Sequence, residues 1–161
     1  MTYAIVYSSK TGNTRLLAET LRDTLPADDC LYFGTSSDEA LRAERIYVGF
    51  WTDKGTCDAD TAAFLSRVTT QEVFLFGTAG FGGAPEYFDK ILSAARQNLP
   101  DGATVCGSYM CQGKMPATVR ARYEAMENSP RRQAMLDNFD AALSHPDAAD
   151  LEHLREMALR R

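Results

Sequence analysis

The chain has 161 residues, 45% of them hydrophobic and 24% charged, with a formal net charge of −5. That length suits one domain with its own core, the apolar content excludes a disordered chain, and no apolar block approaches the ~20 residues of a membrane helix. The acidic excess lies in residues 1–105, with 14 acidic against 9 basic side chains, and no basic stripe is present to neutralise phosphates, so nucleic-acid binding is not expected.

Strand and helix patterns alternate along the chain. Residues 2–8 (TYAIVYS) are apolar, β-branched and aromatic, and end in a polar loop. Thr14 to Leu25 carries Leu17, Leu21 and Leu25 on one helical face and stops at Pro26. Residues 30–34 (CLYFG) and 45–51 (RIYVGFW) predict a second and a third strand. A helix is expected over 59–68, with Ala63, Phe64 and Val68 inward, and a fourth strand over 72–78 (EVFLFGT). A helix then runs over 85–98 from Pro85, a favourable first-turn residue. Residues 104–110 (TVCGSYM) predict the fifth strand. Three more helical patterns follow at 116–127, 130–143 and 146–159.

Five strands alternating with helices predict an α/β fold, a parallel sheet covered on both faces. Residues 1–161 are expected to form one domain, a core of 1–129 with a C-terminal helical extension of 130–161. Ligands of such sheets sit beyond the carboxyl ends of the strands, where strand order reverses. The loops after the first, third and fourth strands are therefore the candidate site.

The first of these loops reads Ser8-Ser9-Lys10-Thr11-Gly12-Asn13-Thr14. Hydroxyls, an amide and a glycine precede a helix whose first N–H groups are unpaired, which suits a phosphate. A plain helix cap by Thr11 or Asn13 is the simpler alternative. A Walker loop and a GxGxxG fingerprint are both missing. The third strand ends in Phe50-Trp51-Thr52-Asp53-Lys54. Strand alternation turns one of Phe50 and Trp51 inward and leaves the other for a flat ligand ring. The fourth strand ends in Thr78-Ala79-Gly80-Phe81-Gly82-Gly83, whose glycines permit close approach to a ligand and set Phe81 out for its outer face.

The SxTGNT pattern after an apolar first strand resembles the flavodoxin family, and the resemblance covers residues 2–110. It implies a five-stranded sheet of order 2-1-3-4-5 and FMN as cofactor. Ser9, Lys10, Thr11, Gly12, Asn13 and Thr14 would wrap the 5′-phosphate, with Lys10 in place of the family's uncharged residue. Backbone at Thr52, Asp53 and Lys54 would lie near the flavin N5 edge. The fifth strand runs on into Cys111-Gln112-Gly113-Lys114-Met115 without a long insertion, as in short-chain flavodoxins.

Cys30, Cys57, Cys106 and Cys111 form no CxxC pair and lie apart from His145 and His153, so no metal site is expected. The N-terminus lacks the basic start and small-residue cleavage site of a secretory signal, and a cytoplasmic protein with reduced thiols is expected. The leading expectation is a carrier that passes electrons to a partner redox protein. An FMN-dependent reductase of a quinone, haem or tetrapyrrole is the alternative, and a flavin-free interaction module is a third.

Overall fold

The computed structural model describes residues 1–82 and 84–160, so Gly83 of the expected ring-facing loop lies outside the described residues. The strands are β1 (Tyr3–Tyr7), β2 (Cys30–Gly34), β3 (Arg45–Asp53), β4 (Thr56–Cys57), β5 (Glu72–Ala79) and β6 (Thr104–Gln112). The α-helices are α1 (Asn13–Thr24), α2 (Ala59–Leu65), α3 (Pro85–Arg96), α4 (Ala117–Glu124), α5 (Pro130–Ala142) and α6 (Ala148–Leu159). Strand order is β2-β1-β3-β5-β6, parallel throughout, with β4 paired antiparallel to the end of β3. The expected five strands and their order are present. The sixth, β4, is a two-residue addition that lengthens β3 to Asp53.

Alternation along the central strands divides the core in two. Val6, Val48, Phe50, Val73 and Leu75 face α2 and α3, packing with Phe64, Leu65 and Ile91. Ile5, Tyr47, Phe74 and Phe76 face the other way, packing with Leu17 and Leu21 of α1 and with Leu154 of α6. The second face therefore needs two helices, and α6 supplies the one that α1 cannot. The Tyr109 hydroxyl on β6 fastens α6 by donating to the Asp150 carbonyl at 2.9 Å.

Near the carboxyl ends, β3 and β5 exchange bulk across the sheet. Register sets Gly49 beside Phe76 and Phe50 beside Gly77. A Cβ on either glycine would run into the neighbouring ring. The two rings thus fill opposite faces directly beneath the loops that follow. No helix among the described residues is long and apolar enough to cross a membrane.

Candidate cofactor site

Parallel pairing brings the carboxyl ends of β1, β3, β5 and β6 to one edge, and a cavity of about 370 Å³ opens there. The loop after β1 contributes Lys10, Thr11 and Asn13. The end of β3 and the turn into β4 contribute Trp51, Thr52 and Lys54, and the end of β5 contributes Thr78, Ala79, Gly80 and Phe81. These ten expected residues converge. The other six, Ser9, Gly12, Thr14, Phe50, Asp53 and Gly82, do not line the cavity.

Local physics explains the division. Gly12 takes φ 93°, a left-handed turn that starts α1 with no side-chain cap. The Ser9 hydroxyl folds back and accepts from the N–H groups of Gly12 and Arg15, both at 3.2 Å. Thr14 is turned into the fold and only 1% exposed. Its hydroxyl donates to the Phe50 carbonyl at 3.0 Å and meets the Thr78 hydroxyl at 3.1 Å. The Thr52 hydroxyl donates to the Thr78 carbonyl at 2.9 Å. Three threonines thereby knit the ends of α1, β3 and β5 into the cavity floor.

Phe50 is fully buried, whereas Trp51 is half-buried against the cavity. Strand alternation thus sorts the pair, with the tryptophan towards the cavity. The Lys10 ammonium lies 4.9 Å from the Trp51 ring centroid, a cation–π contact. Phe81 is 40% exposed at the rim.

The segment after β6 also lines the cavity, with Gly113, Lys114, Met115, Pro116 and Val119, and Tyr87 joins from the first turn of α3. None of these six was among the expected site residues. Hydroxyl-rich and aromatic stretches mark the other loops, and residues 113–116 have neither. The available signal was topological, since the carboxyl end of every parallel strand faces the same edge. Asn13 bridges the two loops, its side-chain amide donating to the Lys114 carbonyl at 2.8 Å and to the Thr11 hydroxyl at 3.2 Å. A Cβ on Gly113 would stand 2.5 Å from that amide, so the close approach requires glycine. Burial raises the Tyr87 phenol above its ordinary pKa, keeping it neutral.

The ring-facing loop is held from behind. The Gly80 carbonyl accepts from Gln112 at 2.9 Å and from Asn138 of α5 at 3.1 Å, and the two amides also bond each other. Behind the Lys114 segment, whose N–H donates to the His145 carbonyl at 3.0 Å, His145, Asp147 and Asp150 group their ligand-type atoms within 4.8 Å. Their polar atoms serve the start of α6, where Asp147 and Asp150 form a reciprocal capping box and His145 bonds Asp150.

A family model described as a flavodoxin domain matches residues 4–159. The chain belongs to the flavodoxin family. It is 42% identical over 172 residues to the flavodoxin-like domain-containing protein BilS of Clostridium symbiosum (strain WAL-14163), covering 94% of this chain and 90% of that protein. Among solved structures it resembles a flavoprotein in complex with FMN from Lactobacillus acidophilus NCFM, with a TM-score of 0.52 and 16% identity over 68% of this chain and 92% of that one. It also resembles a short-chain flavodoxin associated with a non-canonical PDU bacterial microcompartment, with a TM-score of 0.53 and 19% identity over 89% and 96%. The two structures share its fold. Family membership supports an FMN-binding, electron-transferring role in general.

Proposed function

We propose that this protein binds FMN in the cavity at the carboxyl edge of the sheet and passes electrons to a partner redox enzyme. One observation carries the proposal: polar donors at Thr11 and Asn13, a flat Trp51 face and the glycine-lined loop at Gly80 meet in a single cavity. The donor set fits the cofactor. Thr11 is exposed and offers a hydroxyl, and the Asn13 and Thr14 N–H groups of the first turn of α1, which Ser9 does not take, suit a phosphate. Gly113 and Gly80 leave room where a Cβ would meet Asn13 or Met115.

In this assignment the Thr11 hydroxyl and the backbone N–H groups of Asn13 and Thr14 hold the phosphate, and the Lys10 side chain yields the Trp51 face to the flavin ring. Trp51 covers one side and Phe81 the other, and both exclude water. Bound FMN supplies the one- and two-electron chemistry, and the protein supplies position and electrostatics. The four free thiols suit a reducing cytoplasm. Calorimetry with FMN, FAD and riboflavin tests the proposal. FMN is expected to bind near one-to-one and more tightly than the other two. Riboflavin binding as tightly as FMN would refute the phosphate cradle. Rapid NADPH oxidation by the loaded protein would favour a reductase over a carrier.

A further inference from the structure

Lysine is rare in this chain, and its placement is uneven. Of four lysines, Lys10, Lys54 and Lys114 line the one cavity. No carboxylate lines it among the described residues. Five arginines elsewhere are matched to acids, in Arg15–Glu19, Arg45–Glu72, Arg67–Asp38, Arg120–Asp140 and Arg155–Glu152. Among the described residues, the three cavity lysines enter no ion pair. The acids beside lining residues, Asp53 next to Lys54 and Glu86 next to Tyr87, do not offset them. Both lie outside the lining. Asp58 is buried and accepts from Trp51 N–H and from the backbone and hydroxyl of Thr61.

Lys54 adds a second, independent sign. It lies at the tip of the turn between β3 and β4 with φ 53°, the only non-glycine residue with positive φ among the described residues. Asparagine or glycine adopts this conformation with less strain, and both are usual in such two-residue turns. A lysine there keeps a cation at the rim against a backbone preference, and strain of this kind gathers at functional sites.

We propose that the mouth of the cavity is a docking surface for an acidic redox protein. The proposal rests on the FMN assignment above. All three lysines are exposed, and Phe81 stands 40% exposed among them as an apolar anchor. A bound phosphate brings about −1.5 to −2 of charge, less than three ammoniums offer. A positive rim on a chain of net charge −5 also orients approach. It attracts a carboxylate-bearing surface to this edge, while the rest of the molecule repels it.

Electron exchange between the FMN-loaded protein and a reduced, strongly acidic [2Fe–2S] ferredoxin tests this. One electron leaves the iron–sulfur cluster and enters the oxidised flavin, with a proton drawn from water. FMN content is read first from the visible spectrum, for the wild type and each variant. Stopped-flow rates are then measured from about 0.02 to 0.3 M salt. The ferredoxin rate is expected to fall at least ~10-fold with salt, and the doubly reversed Lys54→Glu, Lys114→Glu variant is expected to lose that dependence. Reduction of a basic cytochrome c by the reduced protein is expected to stay flat or rise with salt. A ferredoxin rate that is flat or rises with salt overturns the proposal. So does a salt-dependent rate with ferricyanide alone, which would mean a small anionic acceptor. The second readout needs no flavin. Redox-inactive gallium ferredoxin is titrated into the 15N-labelled protein at low salt, with shifts expected at Lys54, Phe81 and Lys114. Shifts centred elsewhere, or none, overturn the proposal. A chain that stays colourless with FMN refutes the cofactor assignment and leaves the titration to decide the docking surface.

Discussion

Thr11 and Thr14 stand three residues apart in one loop, yet the structure gives their hydroxyls different work. Valine keeps the shape of threonine and removes the hydroxyl. At Thr14 the lost group bonds the Phe50 carbonyl and the Thr78 hydroxyl in a fully enclosed position. A buried partner left unsatisfied costs about 1–3 kcal/mol. At ~2–4 °C per kcal/mol for a chain of this size, Thr14→Val lowers Tm by about 2–12 °C. At Thr11 the hydroxyl is exposed at the cavity and accepts only from Asn13. Thr11→Val therefore leaves stability within about 0.5 kcal/mol. It removes a donor to the phosphate, and a hydrogen bond to a charged group is worth about 1.5–3 kcal/mol, a ~10- to 150-fold loss of FMN affinity. Urea unfolding of the cofactor-free protein and calorimetry with FMN and riboflavin separate the two effects. Stability loss at Thr11 with none at Thr14 would refute the division of the loop into a cradle side and a floor side.

Three other outcomes follow from the packing. Gly77→Ala drives a methyl into the Phe50 ring and is expected to cost about 1–3 kcal/mol in urea unfolding, as overpacked cores do. Asn138→Ala removes one of two donors to the Gly80 carbonyl and loosens the ring-facing loop. FMN and riboflavin affinities should fall together by calorimetry, with their ratio unchanged. Hydrogen bonds from the Asp150 N–H hold the Asp147 carboxyl below its ordinary pKa. Its contribution to α6 is present above the ordinary carboxylate range and is lost as pH falls through the lowered value. Asp147→Asn should therefore lower Tm at neutral pH, and its difference from wild type should shrink in acid, measured by circular dichroism.

Much of this architecture is readable from the residues. Apolar, β-branched and aromatic runs bounded by polar loops mark the five parallel strands, and alternation at Phe50-Trp51 sorts the inward ring from the cavity ring. Other features depend on partners distant in sequence. The β3–β4 turn escapes notice because its tip is Asp53-Lys54-Gly55, where Asn-Gly is the usual signal. Thr14 and Thr78 bond across 64 residues, so a hydroxyl that looks like a ligand donor is spent on the floor. Asn138 reaches Gly80 across 58 residues, and nothing in the pattern of α5 marks that position. Helix ends differ by a few residues as well. The helix expected over 59–68 ends at Leu65, the one over 85–98 ends at Arg96, and the one over 116–127 spans Ala117–Glu124.

FMN seated in the cavity against Trp51 would be reported by the emission of this single tryptophan. Titrating FMN into the cofactor-free protein should quench Trp51 strongly, with saturation near one equivalent. Emission that stays unchanged while FMN binds would place the ring elsewhere and contradict the account.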